Sequence, residues 1–212
     1  MCGHILVVRT RPALPRARRV RISAAMPYTH LTLSSEGRHP LCPEEPARRA
    51  LLHVIGRVAA GHVVLFALVD DHLHLVLAGT DAVLARLRQA VTLAVRAAVG
   101  IPLEPPYSRP VQTRSHLTTL VGYLLRQPAH HGLEGHPALT TGSCFPDLVG
   151  ARRIPGLEPG LSVALPRFRI EEAFPHVGLS APLVPASDEA IRRAGVTRIL
   201  AAAAASAGVD PA

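Results

Sequence analysis

The sequence predicts an α+β fold in which an antiparallel sheet carries helices on one of its faces. Short segments alternate between polar and apolar residues, which is the pattern of strands with one buried face. Elsewhere, apolar residues recur at intervals of three or four, which indicates amphipathic helices. The chain has 212 residues, of which 48% are hydrophobic and 18% charged, so it can bury a core of its own.

The first predicted elements are a strand, a helix and a second strand. Residues 27–35, "PYTHLTLSS", alternate between polar and apolar side chains. From Ala47 to Ala60 the apolar residues share one helical face, and Gly61 can end the helix. Residues 62–69, "HVVLFALV", form an apolar run that predicts the second strand.

A third strand and a second helix follow directly. Residues 72–79, "HLHLVLAG", predict a strand that comes after a turn at residues 70–71. Thr80 or Asp81 can cap the next helix, and the apolar stripe of this helix ends at Gly100.

A short strand and a third helix complete the predicted core. Prolines interrupt residues 101–113, so only a brief edge strand fits there. The helix capped by Ser115 has an apolar stripe and is expected to end at Pro128. The first six elements follow the split βαβ, or ferredoxin-like, order. In that arrangement the second sheet face is left free for a substrate.

Composition divides the chain into three segments. Residues 1–25 form an arginine-rich arm with no acidic residue. Residues 26–150 are expected to form the main domain. Residues 151–212 are expected to form a linker and a small helical segment, or the start of a domain that continues beyond it, with a helix from Ser187. A transit peptide is the alternative for the arm, but its prolines disfavour an amphipathic helix.

The charge of the chain favours a phosphate-bearing partner. The formal net charge is +8, and all 23 basic residues are arginine, whose guanidinium group fits phosphate geometry. Three cysteines without CxxC spacing resemble neither a zinc site nor a disulfide framework, so a reduced, cytoplasmic setting is expected. No apolar run is long enough to span a membrane, so no membrane partner is expected.

Two histidines in the third predicted strand indicate a metal site. Alternate residues of a strand share a face, so His72 and His74 point the same way, while the leucines between and after them enter the core. Neutral imidazole is a common metal ligand, and two on one face make half of a divalent site. Asp70 would share that face if the strand extends back unbroken.

The sequence resembles the HUH single-tyrosine transposases, especially their REP-associated tyrosine transposase branch. The segment "LVDDHLHLVL" is similar to "MPNHVHLLL" in that family, and "PYTHLTLSSEGRHPL" is similar to its opening strand and loop. The segment "YSRPVQTRSHLTTLVGYLLRQPAHHGL" resembles the tyrosine segment, the following helix and the "NPVRAGL" turn. The resemblance covers residues 26–150.

The resemblance implies a metal-dependent endonuclease or transposase that acts on single-stranded or hairpin DNA. His72 and His74 would bind Mg²⁺ or Mn²⁺, and Tyr107 would attack a DNA phosphodiester to leave a 5′-phosphotyrosine and a free 3′-OH. The third metal ligand stays open between Asp70 and Gln112, because Val111 stands four residues after the tyrosine. The other tyrosines are expected outside the site, with Tyr123 as a packing residue. A bacterial, nucleoid-associated monomer or homodimer is expected. The arginines predicted to contact DNA are Arg16, Arg18, Arg19, Arg109 and Arg114.

Two other functions compete with this one. A protein of the same fold that has lost catalysis would bind nucleic acid without cutting it. His30 and Thr32 form an HxT pattern on the first strand, which also occurs in 2H phosphoesterases that act on RNA ends. A covalent adduct between protein and DNA separates the transposase from both alternatives.

The basic arm leads to a first prediction. Removing residues 1–25 should weaken binding to hairpin DNA and flatten its salt dependence, because each lost phosphate contact on a single strand reduces the slope of log K against log salt by about 0.7. Fluorescence anisotropy at several salt concentrations measures both quantities. An unchanged affinity and slope would show that the arm does not contact DNA.

Overall fold

A computed structural model of the chain describes residues 27–133 and 135–180. The arm with Arg16, Arg18 and Arg19, and the helix predicted from Ser187, lie outside these residues. The described part contains a four-stranded antiparallel sheet with strand order β2-β3-β1-β4. Its strands are β1 (Tyr28–Ser34), β2 (Val63–Leu68), β3 (His72–Ala78) and β4 (Tyr107–Val111).

The helices α1 (Glu45–Val58) and α2 (Asp81–Val99) pack against each other on one side of the sheet. This order of strands and helices is the predicted split βαβ arrangement, and the predicted α+β fold class is confirmed. Thr80 caps α2 by accepting a hydrogen bond from the amide of Val83, and Gly100 ends it in a left-handed conformation, as the sequence predicts. The core is aliphatic; its fully buried strand residues on this side include Leu31, Leu33, Leu73, Leu75 and Leu77.

A third helix, α3 (Arg114–His130), lies on the opposite side of the sheet and contacts β2 and β4. The expectation that this face is left free is therefore met only in part. Thr113, rather than Ser115, caps α3 by accepting from the amide of His116. The helix also continues two residues past Pro128, to His130, so the expected end at Pro128 is wrong.

The chain after α3 covers the outer edge of the sheet and the back of α3. The amide of Leu68 in β2 donates to the carbonyl of Gly142, and the amide of Gly160 donates to Val63. Two short helices, α4 (Phe145–Leu148) and α5 (Leu161–Ala164), lead to a 3-10 helix at Ile170–Val177 that packs on α3. Within the described ranges, no helix is both long and apolar enough to cross a membrane.

The alternation of β3 leads to a second prediction. Leu75 is fully buried on the side of α1 and α2, whereas Leu93 on α2 is 56% exposed. Leu75→Ala should lower the free energy of unfolding by about 2–5 kcal/mol, because it leaves a cavity in the core. Leu93→Ala should change it by less than about 0.5 kcal/mol. Urea denaturation measures both, and equal losses would contradict this assignment of faces.

Candidate functional site

The sheet face beneath α3 carries a row of polar side chains across three strands. Thr32 on β1 is opposite His74 on β3 and opposite Tyr107 on β4. In the same way, His30 is opposite Arg109, and Ser34 is opposite His72. Directly opposed residues of antiparallel strands point to the same side, so these residues share one face.

His72 and His74 lie side by side on this face, as the alternation of β3 predicts. Their Nε2 atoms are 2.9 Å apart, and their ring centroids are 4.5 Å apart in an edge-to-face arrangement. The residues are only 7% and 3% exposed, respectively. The expectation of a free sheet face is therefore wrong at these two residues, because α3 lies over this part of the sheet.

Asp71 orients the first of these rings. Its Oδ1 accepts a hydrogen bond of 2.6 Å from Nδ1 of His72, and its Oδ2 accepts one of 2.9 Å from Arg38. Burial alone would raise the pKa of the Asp71 carboxyl, but the hydrogen bonds from His72 and Arg38 hold that pKa below its usual value. An ionised Asp71 fixes the orientation of the His72 ring through this contact at Nδ1, while Nε2 of the same ring faces His74.

Asp70 occupies a different environment from Asp71. Strand β3 begins at His72, so Asp70 lies in the preceding turn and not in the strand. The alternation that would place Asp70 on the histidine face therefore does not reach it. The carboxylate of Asp70 is instead 2.9 Å from a guanidinium nitrogen of Arg48 on α1. The turn is held by backbone hydrogen bonds from Ser35 to Asp71 and from Leu41 to Asp70.

The second ring contacts β1. Nδ1 of His74 lies 3.1 Å from Nε2 of His30 and 3.1 Å from the hydroxyl of Thr32. Burial, together with His72 and His30, lowers the pKa of His74 to about 3. Burial and the charge of His116 lower the pKa of His30 to about 4. Both rings are therefore neutral at pH 7, so they can offer lone pairs to a ligand.

Helix α3 and its C-terminal cap bring three further groups to these rings. The ring of Tyr123 lies 5.4 Å from that of His74 between centroids, and the ring of His131 lies 4.8 Å from that of His72. Gln127 is 3% exposed and hydrogen-bonds His74, an interaction that favours the protonated form of the ring. The expectation that Tyr123 is a packing residue outside the site is wrong, because the residue is 40% exposed and its ring contacts the histidines.

The other predicted site residues lie nearer the rim. Tyr107 is the first residue of β4 and is 61% exposed. It is separated from His74 by the whole width of β1, which corresponds to about 10 Å between the backbones of β4 and β3. Gln112 is exposed between β4 and α3, and Arg109 and Arg114 are exposed on the same side of the fold.

The donor set of this site fits a divalent metal ion. One atom each from Asp71, His72 and His131 lies within 4.8 Å of the other two. We refer to these three residues together with His30 and His74 as the histidine cluster. Its donors are imidazole nitrogens and one carboxylate, which are common metal ligands in proteins.

Three residues near the histidines that the sequence analysis did not assign to the site have helical spacing. Tyr123, Gln127 and His131 are four residues apart in the sequence, so they lie on successive turns of one helix face. Only the docking of α3 shows that this face meets the histidines. Asp71 was missed because the strand starts one residue after it, and His131 because it follows the expected helix end.

Comparisons with known proteins include a distant structural similarity. No protein-family model matches the chain, and no curated protein matches it. A solved structure of a REP-associated tyrosine transposase bound to a REP hairpin has a TM-score of 0.49 and 18% sequence identity. The matched region covers 67% of this chain and 90% of that chain.

The lowered histidine pKa values lead to a third prediction. In the unfolded chain a histidine has a pKa of 6.5. In the folded chain the pKa is about 3 for His74 and about 4 for His30, so these residues take up protons only at much lower pH. The unfolded chain therefore gains protons first, and the free energy of unfolding should fall as the pH decreases below about 6.5. Each group contributes up to about 1.4 kcal/mol per pH unit.

Urea denaturation with a chelator between pH 7 and pH 4.5 tests this dependence. His74→Gln should reduce the slope of the unfolding free energy against pH. Leu93→Ala changes no titratable group and should keep the wild-type slope. The same slope in His74→Gln as in the wild type would show that His74 is not kept neutral by the fold.

Proposed function

We propose that the chain cleaves and rejoins single-stranded or hairpin DNA through a tyrosine nucleophile, with a divalent ion at the histidine cluster. The observation that carries the proposal is the ring of Tyr123, 5.4 Å from His74 and 6.2 Å from His30 between centroids. A partly exposed hydroxyl-bearing ring beside one buried and one half-buried neutral imidazole fits a nucleophile next to a metal site. Tyr107, the tyrosine expected from the sequence resemblance, is the second candidate.

The proposed step is a transesterification. The phenol oxygen of Tyr123 forms a bond to phosphorus, and the bond from phosphorus to the 3′-oxygen breaks. The phenol proton passes to solvent, which reaches the exposed side of the ring, and the leaving 3′-oxygen takes up a proton. The product is a 5′-phosphotyrosine, which another 3′-OH can attack to rejoin the strand without ATP.

The side chains around Tyr123 have distinct roles in this proposal. His72 would hold a divalent ion, either with His74 or with Asp71 and His131, and the ion when bound would polarise a phosphate oxygen and neutralise negative charge. Gln127 and Thr32 contact His74 and keep its ring in place. The ring of His30 lies edge-on to that of Tyr123 and restricts where the phenol can point.

The DNA backbone has basic partners around this site. Arg109 projects from β4 on the histidine face, opposite His30, and Arg114 starts α3. Both are exposed, so they can pair with phosphates on either side of the scissile bond. The net charge of +8 favours the same partner.

Trapping a covalent adduct gives the fourth prediction. Labelled hairpin DNA should form an SDS-resistant adduct with the full-length chain in separate reactions with Mn²⁺ and Zn²⁺. Tyr123→Phe removes only the hydroxyl and should reduce the adduct by at least about 100-fold, while DNA affinity stays within about twofold. Tyr107→Phe is the matched control and should keep the adduct.

The two tyrosine variants separate the possible outcomes. An adduct lost in Tyr107→Phe and kept in Tyr123→Phe would move the nucleophile to β4. No adduct with either metal, combined with salt-dependent DNA binding, would identify a nucleic-acid-binding protein without catalysis. Cleavage of RNA ends without any adduct would favour the phosphoesterase alternative.

A further inference from the structure

The metal site contains more nitrogen than a site for Mg²⁺ requires. We propose that the histidine cluster selects a late first-row divalent ion such as Zn²⁺ over Mg²⁺, with Asp71 and His131 completing the ligand set that begins with His72. The inference rests on the proposed function for the place of the ion beside Tyr123, but metal binding itself can be measured without DNA.

The donor atoms of the histidine cluster are mostly nitrogen, which favours Zn²⁺ over Mg²⁺. The rings of His30, His74, His72 and His131 form a continuous series, with neighbouring centroids 5.1, 4.5 and 4.8 Å apart. Mg²⁺ prefers oxygen ligands in a near-octahedral arrangement, and Asp71 is the only carboxylate in this group. Imidazole suits Zn²⁺, Ni²⁺ and Cu²⁺, and affinities for nitrogen sites rise along the first row toward copper.

The ligand atoms of Asp71, His72 and His131 are close enough together to bind one ion. One atom each from Asp71, His72 and His131 lies within 4.8 Å of the others. Two ligands of a tetrahedral Zn²⁺ ion are about 3.4 Å apart, because each bond is about 2.1 Å long. The three groups therefore need to move by less than about 1 Å to share one ion, which side-chain rotation can supply.

Hydrogen bonds from neighbouring residues hold two of these ligands in place. Arg38 holds the second oxygen of Asp71, and the backbone amide of Ser35 holds the carbonyl of the same residue. His131 caps α3, and its amide donates to the carbonyl of Gln127. The polar partners already fix where the ligands stand, as outer-shell hydrogen bonds do at metal sites.

Cobalt titration of the metal-free full-length chain is the experiment, and it gives the fifth prediction. Co²⁺ should bind at one equivalent and give the visible absorption of a nitrogen- and oxygen-ligated site. One equivalent of Zn²⁺ should bleach this absorption, whereas a large excess of Mg²⁺ should not. Zn²⁺ should also raise the midpoint of thermal unfolding, because it binds only the folded chain.

Two neighbouring pairs of residues provide matched controls. His131→Ala should weaken Co²⁺ binding at least about tenfold, while His130→Ala, at the exposed adjacent residue, should not. Asp71→Asn should weaken binding, while Asp70→Asn, which loses only the partner of Arg48, should keep it. If His131→Ala does not fold, His131→Gln keeps a polar side chain at the same place.

Each outcome supports or overturns the ligand assignment. Undiminished Co²⁺ absorption in His131→Ala or Asp71→Asn, or bleaching by Mg²⁺ at the same concentration as Zn²⁺, overturns it. An SDS-resistant DNA adduct without Co²⁺ binding would reject this inference and leave the proposed function standing. Tight Co²⁺ binding without an adduct would support this inference and reject the proposed function.

Discussion

The pairing register between β1 and β3 is the constraint on which the site depends. Thr32 faces His74 and Ser34 faces His72 because the two strands pair antiparallel in one register. A shift of one strand by a single residue would turn its polar set toward α1 and α2 and bring Leu73 to the polar face. The buried leucines on the other side oppose such a shift. Core packing and site geometry are therefore determined by the same alternation.

A buried group of imidazoles is stable only if its polar atoms have partners. Here the rings of His30, His74 and His72 are joined by hydrogen bonds, and His72 is joined in turn to the carboxylate of Asp71, whose charge Arg38 balances. Among the residues that the structure describes, no buried side-chain nitrogen or oxygen lacks a partner. Burial and the neighbouring histidines keep His30 and His74 neutral at pH 7, so the packing that stabilises the folded chain also leaves these imidazoles unprotonated.

Some of this site could be predicted from the sequence, and the rest depends on tertiary packing. Period-two alternation was enough to place His72 and His74 on one face, because the face of a strand residue depends only on its parity. It could not show that a helix covers that face. Tyr123 borders the apolar stripe of α3, and a stripe indicates which side is buried but not what buries it. The choice between Asp70 and Asp71 depended on a single residue at the start of β3, and helix and strand ends are where sequence patterns are least specific.

The C-terminal segment has a larger part in the site than its composition indicates. Helix α3 carries Tyr123 and Gln127 toward the sheet, and the 3-10 helix at Ile170–Val177 packs on it. There Arg126 donates a hydrogen bond to His176, and a Cβ atom at Gly122 would come within 2.8 Å of the same ring. Because α3 contacts both the sheet and this segment, the distance from Tyr123 to the histidines depends on both contacts. A segment that the sequence predicts to be a linker therefore helps to set the distance from Tyr123 to the histidines, although none of its residues belongs to the histidine cluster.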